Sequence, residues 1–268
     1  MREVEISHVD LSARRIQRKK DFVAEEVPLH VFVNGIRYVT ILCSPTQLKE
    51  LAVGHVLSEG LVKSVDEIRD ILLETGGKCQ ILLKAGIDAE KRISISQPFA
   101  RLIISACGSQ DYWPLTRLVD RIEFPRVTSD LTVDASVVLE SVRQLSTLAK
   151  TFRETGGVHI AALFSAKGEL MTSAEDVGRH NAVDKVIGAG GLSKLDFKNC
   201  FLALSGRLTG DMVLKAARMG IPLVASLAAA IDSGIEAAQL TGVTLSGFVR
   251  GKRINIYTHP ERIILGMP

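Results

Sequence analysis

The feature that most constrains the fold is an alternation of strand-like and helix-like segments between residues 159 and 258. VHIAALF and GELMT have the composition of strands, a helix is expected over about 179–187, and CFLALS precedes the helical segment GDMVLKAARMG. PLVAS, a helix over about 231–240, VTLSGFV and INIYT continue the pattern. Strands separated by helices of about ten residues need crossover connections, which indicates a parallel or mixed sheet covered by helices. We therefore expect an α/β domain over residues 131–268.

The first part of the chain has shorter elements, and most of them have strand character. LHVFVNGIRYVTIL contains two β-rich runs around Asn34-Gly35, a pair that tolerates the positive φ angles of a tight hairpin turn. Apolar residues recur at helical spacing in QLKELAVGHVLSEG, where His55 is expected to be a hydrogen-bonded core histidine. A further helix is expected near residues 65–73, and one continuous helix over 134–153. Residues 1–130 are predicted to form a smaller, mostly β part.

Composition and charge exclude several classes of protein. The chain has 268 residues and a formal net charge of +3, which gives no reason to expect wholesale nucleic-acid binding. It has no run of about 18 apolar residues, and REVEISHVDLSARRIQRKK lacks the apolar core of a secretory signal. These features predict a cytoplasmic protein that binds neither nucleic acid nor membrane, with its basic N-terminal run as a solvated arm or edge strand.

The four cysteines are too far apart to suggest a disulfide framework or a cysteine-rich zinc site, and no C-x-x-C pair occurs. Cys43, Cys79 and Cys200 lie in or beside apolar runs and are expected to be inert buried thiols. Cys107 differs, because ISACGSQ leaves a strand-like run for a glycine-bearing loop where a thiol would be reachable. Any cysteine chemistry should therefore be that of a single thiol, with Cys107 as the candidate.

Polar side chains are concentrated in the segment EDVGRHNAVDK, residues 175–185. The exposed amides of a helix start favour an anion, and Arg179 and His180 would add donors beside them, while a charged helix start capped locally by Asp176 is the other interpretation. Two more glycine-bearing polar loops, ETGGVHIAA and LSGRLTGDM, flank strands of the same domain, so a shared pocket is one interpretation and unrelated turns are the other. FVRGKR puts three cations around Gly251, which indicates either a solvated turn or a phosphate-binding hairpin.

Two familiar hydrolytic chemistries do not fit. Zinc deaminases use H-x-E followed by P-C-x-x-C, but here Ala161 stands where the glutamate would be, and no P-C-x-x-C follows. A nucleophile elbow of the form G-x-S-x-G is also missing.

Five segments together resemble one known family. LKELAVGHVLSEG, FRETGGVHIAAL, EDVGRHNAVDKVIG, LSGRLTGDMVLKAARMGIP and LSGFVRGKRINIYTHPER occur in the order found in the formate dehydrogenase accessory sulfurtransferases (FdhD). The resemblance implies a C-terminal domain related in fold to cytidine deaminases but without the zinc chemistry, and a homodimer. No metal site of the protein's own is expected.

The same resemblance implies a function and site residues. Cys107 would accept sulfur as a persulfide from a cysteine desulfurase. It would pass the sulfur to the molybdenum or tungsten bis-pterin guanine dinucleotide cofactor that formate dehydrogenase needs in sulfurated form. The cofactor-binding segment would be Phe248, Val249, Arg250, Gly251, Lys252 and Arg253, with a guanine nucleotide as a mimic of the cofactor.

The family usually has a C-x-x-C loop, whereas this chain has Cys107-Gly108-Ser109-Gln110, so this loop supplies one thiol and not two. Two other functions stay open: a chaperone that binds the cofactor without transferring sulfur, and a structural domain with no ligand.

Overall fold

The computed structural model describes residues 1–94 and 125–266 and has the expected α/β architecture. A mixed sheet of six strands has the order β13-β12-β11-β10-β8-β9. Its strands are β8 (His159–Ser165), β9 (Leu170–Asp176), β10 (Cys200–Leu204), β11 (Leu223–Ser226), β12 (Thr244–Arg250) and β13 (Arg253–Thr258). The β10, β11 and β12 strands are parallel, and the other neighbours in the sheet are antiparallel. The predicted fold class is confirmed.

A smaller sheet of four strands has the order β4-β3-β6-β5. It is formed by β3 (Val27–Val33), β4 (Ile36–Cys43), β5 (Ile68–Glu74) and β6 (Lys78–Leu83). The turn between β3 and β4 is the predicted one, because Asn34 and Gly35 both have positive φ angles. A separate hairpin of β1 (Arg2–Asp10) and β2 (Arg15–Val23) precedes this sheet, and β7 (Val133–Asp134) pairs with β14 (Ile263–Ile264). The predicted helix near residues 65–73 is wrong, since β5 occupies most of that range.

Helices pack around the sheets. They include α1 (Leu48–Ser58), α2 (Ala135–Leu148), α3 (Lys150–Thr155), α4 (Arg179–Leu192), α5 (Gly210–Arg218) and α6 (Asp232–Thr241). The single helix expected over 134–153 is interrupted at Ala149, whose ψ of 72° is not helical. Thr151 and Phe152 then donate their backbone N–H groups to the Glu175 carboxylate, which caps a new helix.

The six-stranded sheet buries apolar side chains on both faces, because alternate residues of a strand point to opposite sides. Phe201 and Ala203 of β10 face α2, whereas Leu202 and Leu204 belong to the larger core. That larger core also contains α1, α4, α5 and one face of the small sheet. The two parts of the chain therefore share one hydrophobic core, and the boundary at residue 130 stays a prediction.

Helices α1 and α4 cross at two glycines. A Cβ on Gly54 would lie 1.7 Å from the backbone oxygen of Asp184, and a Cβ on Gly188 would lie 1.9 Å from that of Glu50. Real side chains never approach a backbone so closely, so only glycine permits this crossing. The crossing brings the polar residues at the C-terminal end of α1 against α4 and α5.

Candidate functional site

The polar loops predicted from the sequence meet at one edge of the six-stranded sheet. The β9, β10, β11 and β12 strands end at this edge, and β8 begins there, since His159 is opposite Asp176 in the sheet register. Ligands in open α/β sheets bind outside the carboxyl ends of strands. The loops around Gly157, Gly178, Gly206 and Gly251 are thus placed where such a ligand would bind.

A cavity of about 790 Å³ opens at this edge. Its apolar wall comes from the end of α2, from α3 and from the strand ends, and its polar groups include His159, Ser205 and Arg153. Ligand cavities typically have about 300–1,000 Å³ and combine an apolar wall with a few polar groups. The apolar residues of the lining are Leu145, Ala149, Phe152, Val158, Ile160, Val177 and Leu227.

A second, smaller cavity of about 220 Å³ lies next to the first. The two cavities share Ser146 and Leu227 in their linings, and the smaller one reaches Arg250 and Gly251. The two together form a groove along α2, from the loop that contains Gly157 to the turn between β12 and β13. The wall formed by α2 and Phe152 was not predicted as part of a site, because its apolar spacing indicates only a packed helix.

The basic turn at the end of this groove is organised around one aromatic ring. The guanidinium carbons of Arg250 and Arg253 lie 5.2 and 5.9 Å from the centre of the Phe248 ring. Phe248 has a φ angle of 51°, an uncommon conformation for a bulky residue, at an irregularity in the pairing of β12 with β13. Both arginines therefore lie close to the same ring, and Val249, between Phe248 and Arg250, is buried.

His159 has a polar environment at the floor of the larger cavity. Its Nδ1 atom lies 3.3 Å from Ser205 Oγ, and Ser205 Oγ also accepts a hydrogen bond from the backbone N–H of Ile160 at 3.1 Å. Burial, together with the electrostatic effect of Arg179 and His180, holds the pKa of His159 below its ordinary value. The Nε atom of Arg179 is buried and has no hydrogen-bond partner. His180 is paired with the Asp211 carboxylate, which also accepts from Thr209.

Most of the polar residues in EDVGRHNAVDK do not line the cavity. Their side chains form hydrogen bonds and ion pairs with other elements of the fold. The Asp176 carboxylate is fully buried, forms an ion pair with Lys185 at 2.7 Å and accepts from the Ser44 backbone at 3.0 Å. Asn181 donates to the carbonyl oxygen of Leu42. Of this segment, only Val177 belongs to the cavity lining, with Arg179 and His180 close to His159.

A buried ion cluster lies where α1, α4 and α5 meet. Lys215 donates to Asp184 Oδ1 at 2.9 Å, to Glu59 Oε1 at 2.6 Å and to Ser58 Oγ at 2.9 Å. Burial alone would raise the pKa of Asp184, but Lys215 and His55 hold it below its ordinary value. His55 is bonded to Asp184, as expected of a core histidine. This cluster is structural rather than part of the cavity.

The three cysteines in the described part of the chain, Cys43, Cys79 and Cys200, are buried, as predicted. Burial raises the pKa of Cys43 and of Cys79 to about 11, which keeps both thiols protonated at neutral pH. Cys107 lies outside the described residues, and its role stays a prediction. Within residues 1–94 and 125–266, no cluster of three His, Cys, Asp or Glu side chains is arranged to hold a metal ion.

Comparison with known proteins decides the family. The model of the FdhD/NarQ family matches residues 24–264. The chain belongs to this family. A relative from Methanothermobacter thermautotrophicus, named sulfur carrier protein FdhD, is 39% identical, and the alignment covers 98% of each chain. A protein of the same name from Sulfolobus acidocaldarius is 36% identical over 99% of each chain.

A solved structure supports the family assignment. The structure comes from Desulfotalea psychrophila, and its protein is described as a proposed formate dehydrogenase accessory protein. It superposes with a TM-score of 0.77 and 27% identity, and covers 98% of both chains. In the described ranges of this FdhD/NarQ chain, no helix has the length and apolar character needed to cross a bilayer.

Proposed function

We propose that this chain is a sulfur carrier for the maturation of formate dehydrogenase. The thiolate of Cys107 attacks the outer sulfur of a persulfide on a cysteine desulfurase. One sulfur–sulfur bond breaks as another forms, the desulfurase leaves as a thiolate, and Cys107 holds the sulfane sulfur. The sulfur–sulfur bond of this persulfide then breaks, Cys107 leaves as a thiolate, and the sulfur passes to the bis-pterin guanine dinucleotide cofactor of molybdenum or tungsten, which is the substrate and whose metal would supply the two electrons that reduce the sulfane sulfur to sulfide. The names of the close relatives support the sulfur-carrier role.

The observation that carries the cofactor part of the proposal is the groove along α2. It joins a cavity of about 790 Å³ to the turn of Arg250 and Arg253, so an apolar wall for a heterocyclic ring lies beside cations for phosphate. Phe248 and Val249 support this turn, and Gly251 and Lys252 form its tip. A guanine nucleotide is the simplest probe of this site.

Sulfur loading is tested by mass spectrometry after incubation with a cysteine desulfurase and cysteine. The wild type should gain one sulfur atom, and Cys107→Ala should gain none. Cys43→Ala is the matched control and should load normally, because its thiol is buried and protonated. Loading of Cys107→Ala to the wild-type level would remove the persulfide assignment.

Nucleotide binding is tested by calorimetry with GDP at low salt. Replacing Arg250 or Arg253 by Ala should weaken binding by about 1.5–3 kcal/mol for each lost charge-assisted contact. Lys167→Ala is the control and should bind as the wild type does. Lys167 is exposed in the turn between β8 and β9, at the end of β8 away from the cavity. Equal affinity in the folded double arginine variant would show that the turn is only solvated.

A second candidate is a cofactor chaperone without sulfur transfer, and one observation favours it. Gln110 stands where the family usually has its second cysteine. Formate dehydrogenase activity in a host that lacks its own accessory protein separates the two functions. A sulfur carrier should lose this activity in Cys107→Ala, whereas a chaperone should keep it.

A further inference from the structure

The floor of the larger cavity carries a hydrogen-bonded pair that sulfur transfer does not explain. His159 and Ser205 both line the cavity, with 3.3 Å between Nδ1 and Oγ. Ser205 Oγ already accepts from the backbone N–H of Ile160 at 3.1 Å. A hydroxyl has only one proton to donate, so the Ser205 proton can go either to His159 Nδ1 or to a group in the cavity, but not to both.

The surroundings of His159 favour the uncharged ring. Burial, Arg179 and His180 disfavour a positive charge, so the neutral imidazole prevails at neutral pH. With the single ring proton on Nε2, Nδ1 accepts the Ser205 proton. The nearby carboxylates of the described chain are already engaged, Asp176 with Lys185 and Asp211 with His180. The charged and titratable groups around His159 are Arg179 and His180 on α4, Asp176 on β9, and Arg153 in the same cavity.

We infer that a phosphate-bearing ligand enters this cavity together with a proton, which His159 takes up, and that the proton switches Ser205 into a donor toward the ligand. The negative charge of a phosphate that lies in the larger cavity beside Arg153, rather than at the turn of Arg250 and Arg253, offsets Arg179 and His180 and so permits an imidazolium. Nδ1–H then donates to Ser205 Oγ, and the hydroxyl proton turns into the cavity. The proton comes from solvent and no covalent bond changes. This inference rests on the nucleotide site of the proposed function and adds a residue-level basis for its pH dependence.

The test uses a probe whose own phosphates do not titrate near neutral pH. GDP is unsuitable, because a terminal phosphate monoester has a second pKa of about 6. P1,P2-di(guanosine 5′)-pyrophosphate has only diester phosphates and avoids this problem. Calorimetry in two buffers with different heats of ionisation measures the protons taken up on binding. The wild type should take up as much as one proton, and its dissociation constant should rise with pH, by at most about tenfold for each unit by which binding raises the pKa of His159.

Three variants complete the test. His159→Gln keeps a hydrogen-bonding side chain without a titrating ring, so it should bind with no proton uptake and a flat pH profile. Ser205→Ala should keep the proton uptake but bind more weakly, since the donor is lost. His30→Gln, in β3, is the matched control and should take up protons as the wild type does.

The outcomes separate this inference from the proposed function. Wild-type binding without proton uptake overturns the inference alone, as does unchanged uptake in folded His159→Gln. No binding of the probe at any pH removes the nucleotide site of the proposed function, and the inference with it. Circular dichroism of each variant shows whether the fold is retained.

Discussion

Replacing Lys215 by methionine tests the structural reading of the polar cluster between α1, α4 and α5. Methionine retains most of the length of the side chain and removes the ammonium group. The change leaves the carboxylates of Asp184 and Glu59 without the cation that lies 2.9 and 2.6 Å from them. Lys215 and Asp184 are both buried, so water cannot replace the lost partner.

The size of the effect follows from these distances and from burial. Two unit charges about 4 Å apart interact by about 4 kcal/mol at an effective dielectric constant of about 20, and Lys215 interacts with two carboxylates. The cost of removing the ammonium from water offsets part of this attraction. Breaking a buried pair by removing one partner therefore costs about 3–5 kcal/mol, a large share of a total stability of about 5–15 kcal/mol.

Equilibrium unfolding in urea, followed by far-ultraviolet circular dichroism, measures this cost. Lys215→Met should lower the free energy of unfolding by about 3–5 kcal/mol. The double variant with Asp184→Leu should recover part of the loss, because one uncompensated charge is gone. Lys167→Met, on the surface, is the matched control and should change stability by no more than about 0.5 kcal/mol. A loss in Lys215→Met no larger than in the control would refute the reasoning.

Three further predictions concern stability and thiol chemistry. Gly54→Ala should destabilise the protein by at least about 4 kcal/mol in the same urea assay, since its Cβ would collide with the backbone of α4; near-wild-type stability would show that the helices separate easily. Cys43 and Cys79 should react slowly with iodoacetamide at neutral pH and faster after unfolding, because burial raises each pKa to about 11. Rapid labelling of either cysteine in the folded protein, located by mass spectrometry of its peptides, would contradict this prediction. The lowered pKa of Asp184 means that this carboxylate binds fewer protons in the folded state than in the unfolded state. Its contribution to stability is therefore present above about pH 4 and is lost as pH falls further. A urea midpoint of unfolding that does not fall in acid would contradict this prediction.

The elements that the sequence predicts well are those with strong local signals. Asn34-Gly35 fixes a tight turn, and the apolar spacing around Leu51 identifies α1. The alternation after residue 159 predicts the mixed sheet, because parallel strands need crossover helices. The convergence of the glycine-bearing loops at one edge also follows from this topology.

The errors arise where a contact outside the segment itself overrides its local preference. The sequence favoured a helix near residues 65–73, but pairing with β6 draws Ile68–Glu74 into an edge strand. Glu175 caps α3 from across the sheet and so interrupts the helix expected over 134–153. Likewise, sequence alone cannot tell that Asp176 and Lys185 pair with each other rather than with a ligand.

The glycine crossing of α1 and α4 also bears on how the chain is made. During translation α1 emerges more than a hundred residues before α4. The face of α1 around Gly54 therefore has no partner until the segment around Gly188 has been synthesised. Until then the N-terminal sheet exposes the apolar surface that α1, α4 and α5 later enclose. The nascent protein is therefore most exposed to aggregation, and most dependent on chaperones, while the ribosome synthesises the segment from Gly54 to Gly188.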